Sequence, residues 1–103
     1  MKILSILPVV FFATAAVAAT PPAKPYDGHE MAARAKVPLA KAEAIALKAR
    51  PGRVSDKELE AEVGGSGLRW SFDIVAKGKT WEVGVDAATG KVLENQPEGA
   101  NPD

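Results

Sequence analysis

Cysteine is absent from this chain of 103 residues. That excludes a disulfide framework, a thiol nucleophile, covalently attached c-type haem and a lipid-modified cysteine. Histidine is nearly absent: His29 stands alone, in the stretch Asp27-Gly28-His29-Glu30. One imidazole among flexible carboxylates is not a preorganised metal site, so no metal ligand is assigned and His29 reads as an exposed residue. Ser55, Ser66 and Ser71 have no neighbouring base that would activate a hydroxyl. Gly64-Gly65-Ser66-Gly67 lacks the lysine and the following helix of a phosphate loop, so it reads as a plain turn. No catalytic residue and no cofactor follow from this inventory. An excess of charge is missing too, with 13 basic and 13 acidic residues, and nothing points to nucleic acid. Nor is there an apolar run of the roughly 20 residues that a membrane-spanning helix needs.

What is present begins with a leader. Met1-Lys2 is followed by an apolar run from Ile3 to Ala13, interrupted by Ser5 and Pro8, and then by small residues to Ala19. This is the pattern of a secretory signal peptide over residues 1–19, with cleavage expected after Ala18 or Ala19. The mature protein is then periplasmic or secreted, with no stable membrane span. Loss of Lys2 with the leader leaves twelve basic and thirteen acidic residues, a formal charge of −1.

Residues 20–36 are expected to be a mostly disordered linker, because Pro21, Pro22 and Pro25 oppose regular structure. Residues 30–36 allow a turn or two of frayed helix. At the other end, residues 96–103 carry Pro97, Gly99 and Pro102 and read as a disordered tail. The folded unit is therefore placed at residues 37–95. Pro38 suits a first helical turn. Leu39, Ala42, Ile45, Ala46 and Ala49 then share one helical face. Arg50-Pro51-Gly52 ends the helix. An alanine-rich stripe lets a helix approach a flat surface closely, so its expected partner is a sheet.

After Gly52 the hydrophobic period changes to two. Leu59, Ala61 and Val63 alternate with Glu58, Glu60 and Glu62. Leu68, Trp70, Phe72 and Ile74 alternate with Arg69, Ser71 and Asp73; Trp81, Val83 and Val85 alternate with Glu82, Gly84 and Asp86. With Lys77-Gly78 as a two-residue hairpin turn, Ile74 faces Trp81, Phe72 faces Val83 and Trp70 faces Val85. With Gly64 to Gly67 as a four-residue loop, Val63 faces Leu68, Ala61 faces Trp70 and Leu59 faces Phe72. Every inward pair is apolar, and a slip of one residue would expose them all. In the last strand a bulge at Gly90 would change parity, so Val92 or Leu93 can be the inward residue. The expected fold is α+β, one amphipathic helix on a three- to four-stranded antiparallel meander. Its core comprises Leu39, Ile45, Ala46, Leu59, Trp70, Phe72, Ile74, Trp81, Val83 and Val85. Asp86, Thr89 and Gly90 form a structural turn, the aspartate accepting backbone N–H bonds.

Residues 37–52, VPLAKAEAIALKARPG, resemble the opening helix of PepSY domains. Residues 70–93, WSFDIVAKGKTWEVGVDAATGKVL, resemble their closing hairpins, and VDAATGKVL is the most specific piece. The resemblance covers nearly the whole folded unit. PepSY domains occur in propeptides of thermolysin-like metalloproteases, in membrane proteins and alone in exported bacterial proteins. The resemblance implies a non-catalytic exported module that binds another exported protein, with inhibition or regulation of a peptidase as the specific form. It carries no catalytic residue over to this chain, and the target is expected to be a separate protein.

The registers place Glu58, Glu60, Glu62, Asp73, Glu82 and Asp86 on the sheet face away from the helix. Arg69 is the one base there, flanked by Glu62 and Asp86, while Asp73 is expected between Glu58 and Glu82. Arg34, Lys36, Lys41, Lys48, Arg50 and Arg53 collect on or near the helix. A charged outer face discourages aggregation. It is also the candidate partner-binding surface. The alternative function is a small-ligand or divalent-cation binding protein, calcium included, using the same acidic face.

Overall fold

Two turns and one helix end decide the architecture. The computed structural model describes residues 26–99; the expected leader, the first part of the expected linker and the last four residues lie outside them. Helix α1 spans Leu39–Ala49, with Pro38 at its N-cap and Arg50 at its C-cap. Four strands follow, β1 Arg53–Ala61, β2 Leu68–Ala76, β3 Lys79–Asp86 and β4 Val92–Pro97. They form one antiparallel sheet in the order β1-β2-β3-β4. Helix α1 lies on one face of it, so the fold is the expected α+β arrangement. No helix among the described residues is long and apolar enough to cross a membrane.

The β2–β3 register is the expected one: Trp70 faces Val85, Phe72 faces Val83 and Ile74 faces Trp81. Lys77 and Gly78 both have positive φ, 52° and 76°, the backbone of a type I′ turn whose twist matches the strands. Ala42 and Ala46 are fully buried, which brings α1 down onto Leu59, Trp70, Phe72, Ile74, Val83 and Val85. Leu39 and Ile45 are half-buried at the rim of this core. Val37, Leu68 and Ala87 complete it. Trp81 is half-buried rather than enclosed, and the Arg50 guanidinium stacks 3.5 Å above its ring.

The β1–β2 register differs from the expected one by two residues. Ala61 faces Leu68, Leu59 faces Trp70 and Glu58 faces Ser71. Glu62 N–H donates to Gly67 O at 3.0 Å, so the loop is Val63 to Ser66, one residue earlier than expected. A slip of two keeps every side chain on its face, so alternation alone does not distinguish the two registers. The choice is made by Ser66, which turns toward Asp86 and draws the loop with it. Val63 is left 97% exposed and Ala61 is exposed, contrary to their expected inward positions.

Both edge strands carry irregularities. In β1 Val54 faces Ile74 but Asp56 faces Asp73, leaving Ser55 as the extra residue. In β4 Val92 faces Val85 but Glu94 faces Gly84, leaving Leu93 extra. Parity thus changes at Leu93 rather than Gly90, and Val92 is the residue packed on the core. β4 also continues through Gln96 and Pro97, into the stretch read as tail.

The segment after Tyr26 departs from a disordered linker. Tyr26 stands edge-on to Trp70 with ring centroids 5.5 Å apart. Leu59 N–H donates to Asp27 O at 2.9 Å, and a 3-10 helix spans His29–Arg34. Tyr26, Met31 and Ala35 pack against the core. The turn or two of helix allowed over residues 30–36 is present as this 3-10 helix; Met31 and Ala35 are a helical step of four apart, but two small or isolated apolar residues make no stripe that would point to the core.

Candidate functional site

In a strand, residues two apart share a face. Glu58, Glu60 and Glu62 therefore project together from the outer side of β1 and its end. Asp73 on β2 stands beside Glu82 on β3 and Asp56 on β1. Glu94 on β4 stands opposite Gly84. The bulges in both edge strands add twist and bend them. The outer face is accordingly a trough of about 310 Å³. Seven carboxylates line it, those of Asp56, Glu58, Glu60, Glu62, Asp73, Glu82 and Glu94, together with Ser71 and Gln96. Among the described residues no basic side chain lines it, and the Arg69 guanidinium stands at its end, 3.4 Å from Glu62 and Glu94.

Like charges at this spacing compete for protons. Glu58 is pushed up to about 7, first by sharing a hydrogen bond with Glu60, then by burial and by the charges of Glu60 and Asp56. Glu60 is held below its ordinary value: the Glu58 bond outweighs burial, and Glu62, Ser71 and Arg69 assist. Ser71 Oγ donates to Glu60 Oε2 at 3.3 Å. Burial raises Glu62, Asp73 and Glu82, and neighbouring carboxylates raise them further.

A carboxyl whose folded-state pKa is raised favours folding below its ordinary pKa, and that contribution is lost as pH rises through the folded value. Glu58→Gln, permanently neutral, should therefore melt at a higher temperature than the wild type at pH 8. The difference should vanish by about pH 4.5, where Glu58 itself is protonated. Carbon-13 titration of the Glu58 carboxyl should show a midpoint near 7; a midpoint in the ordinary range would refute the proton sharing.

Two of the expected surface residues do other work. Asp86 is 1% exposed and lines no part of the trough. Its carboxylate accepts from Ser66 N–H at 2.6 Å, Ser66 Oγ–H at 2.8 Å, Ala88 N–H at 2.8 Å and Thr89 N–H at 3.1 Å. Burial alone would raise its pKa; these donors outweigh burial and hold it well below the ordinary carboxylate range. No side chain fits at Gly65, where a Cβ would run into the Asp86 carboxylate and Leu93. The expected structural turn is present, with Gly90 N–H donating to Asp86 O at 2.9 Å.

Arg69 is buried at the end of the sheet, opposite Glu60 on β1 and Asp86 on β3. Its guanidinium lies 3.4 Å from both Glu62 and Glu94. It crosses β3 over Gly84, where a Cβ would come within 2.8 Å of Arg69 Cδ. Arg69 thus ties the two edge strands together across the outer face.

Sequence reasoning missed Asp56, Glu94 and Glu98. Asp73, Glu82 and Glu98 can each bring one carboxylate oxygen within 4.8 Å of the others. Glu98 lies in the stretch expected to be a disordered tail, but its N–H donates to Thr80 O at 2.8 Å and fixes it beside β3. His29, exposed, hydrogen-bonds through Nδ1 to Tyr26 O. The serines are engaged locally: Ser55 with Asp73 O, Ser66 with Asp86, Ser71 with Glu60.

The fold and this face define a small α+β module with one helix-covered and one open sheet surface. The family model described as "Peptidase propeptide and YPEB domain" matches residues 36–95, more than half of the chain. The chain belongs to the PepSY family. Searches of curated proteins and of solved structures found no significant match.

Proposed function

We propose that this chain is a non-catalytic, exported binding module that regulates a peptidase or another exported protein, docking through the outer face of its sheet. The observation that carries this reading is a trough lined by seven carboxylates, of which Arg69 pairs with only two, Glu62 and Glu94, among the described residues, on a fold whose family includes peptidase propeptides. The leader pattern supports export, and the engagement of Ser55, Ser66 and Ser71 in local bonds supports a non-catalytic role. A basic patch on the partner is the complementary surface, and such pairing speeds encounter and weakens with salt.

The test is site-specific photocrosslinking in the native envelope, with the crosslinker at Glu60 in one strain and at Lys41 on the helix in another. Capture of one peptidase or other exported protein from position 60, weakened by Glu58→Lys with Glu82→Lys, is the expected result. Identical products from both positions, or none from position 60, would remove the reading. A second reading, divalent-cation binding, gains specific footing from the Asp73, Glu82 and Glu98 grouping. Calorimetry with calcium distinguishes it: heats equal to dilution and an unchanged melting temperature would end it.

A further inference from the structure

Helix α1 has 11 residues and so rises about 16 Å. Strand β2 has 9 residues and extends about 30 Å. The helix is too short to roof the sheet from end to end. At one end Tyr26 and the 3-10 helix close the gap. At the other, around Lys77-Gly78, no described element covers the helix-side face. A groove of about 540 Å³ opens there, walled by Pro51, Gly52, Ala76 and Trp81.

The charge of this groove is the reverse of the trough's. Arg50, Lys77 and Lys79 line it, and no carboxylate among the described residues does. None of the three forms an ion pair among the described residues. Arg50 is held in place, stacked on Trp81 and donating through Nε to Asn95 Oδ1 at 3.1 Å. Lys77 and Lys79 are exposed at the hairpin tip. An apolar floor with three cations at its rim suits a group that is apolar and anionic at once. The groove volume lies within the roughly 300–1,000 Å³ of ordinary ligand sites.

We propose that this groove binds the C-terminal residue of a peptide, an apolar side chain resting on Ala76 and Trp81 and the α-carboxylate held among Arg50, Lys77 and Lys79. A free C-terminus carries both features on one residue, and capture of such carboxylates is a recurrent mode of peptide recognition. The site is independent of the acidic trough and stands whether or not a partner docks there.

The test uses the nitrogen-15-labelled protein titrated with acetyl-Ala-Ala-Leu as the free acid and as its C-terminal amide. The acid should produce saturable shifts at Gly52, Ala76 and the Trp81 indole. The amide should bind about tenfold more weakly, as should the acid to a Lys77→Asn, Lys79→Glu double variant. Asparagine tolerates the positive φ at position 77, so this variant should melt close to the wild type. Affinity for the acid should fall with added salt. Equal binding of acid and amide, shifts confined to the outer face, or no saturable shift would overturn the proposal.

Discussion

Trp70→Ala should unfold this domain at room temperature. Trp70 is 1% exposed and sits opposite both Leu59 and Val85 in the sheet. Its indole N–H donates to Val37 O at 2.8 Å, and Tyr26 packs edge-on against its ring. It therefore joins β1, β3, the entry to α1 and the 3-10 segment. Truncation of a buried tryptophan costs about 3–5 kcal/mol. Leaving the Val37 carbonyl unpaired adds about 1–3 kcal/mol. A domain of this size has only about 5 kcal/mol of stability to lose. Far-ultraviolet circular dichroism of the variant at 25 °C should show an unfolded chain. Trp70→Phe keeps most of the apolar volume and loses the N–H; it should fold with a melting temperature lower by about 5–10 °C. A cooperative Trp70→Ala melt within a few degrees of the wild type would contradict this account.

Asp86→Asn should be nearly as damaging, by a different route. The buried carboxylate accepts four hydrogen bonds from Ser66, Ala88 and Thr89. An amide presents one acceptor oxygen and turns a donor toward these N–H groups. The expected cost is about 3 kcal/mol, or about 15 °C in melting temperature for a domain of this length. The folded-state pKa of Asp86 lies below its ordinary 3.8. Its contribution is therefore full above that value and is lost as pH falls through the folded pKa. The gap between wild type and variant should be constant from neutral pH to about 5 and shrink below about 4. Glu58 acts between its ordinary 4.5 and about 7, above the range in which the Asp86 contribution is lost, so Glu58→Gln should leave the shrinking of this gap below about pH 4 unchanged. A gap that persists undiminished at pH 2 would show that the carboxylate charge is not what holds the two loops.

The parts of the fold that were legible in sequence are those that local rules determine. From Leu68 to Ile74 and from Trp81 to Val85 apolar residues alternate with others and the turn between the strands has two residues, so register follows from turn geometry. The first hairpin was legible in parity and not in register. Moving it by two residues put Ser71 rather than Phe72's neighbour Asp73 opposite Glu58, and brought Asp56 to Asp73. The acidic character of the outer face survived, since a slip of two preserves faces. Its membership changed: Asp56, Glu94 and Glu98 joined, while Asp86 and Arg69 became parts of the frame. The core contacts of Tyr26 and Met31 were illegible because single apolar residues in a short segment do not show which distant side chains they meet.

The order of apolar and charged residues by itself determined a helix on a meander, the central hairpin's register, an acidic outer side and a chain with no cysteine and a single histidine. Those properties follow from side-chain period and residue type, which need no knowledge of distant neighbours. Tertiary structure decided where β1 docks, which residue in β4 turns inward, that Asp86 is sealed from water, and that α1 stops short of the hairpin tip. Each of these depends on a contact between elements, from Val92 on Val85 to Ser66 on Asp86, and the hydrophobic pattern does not encode such a meeting.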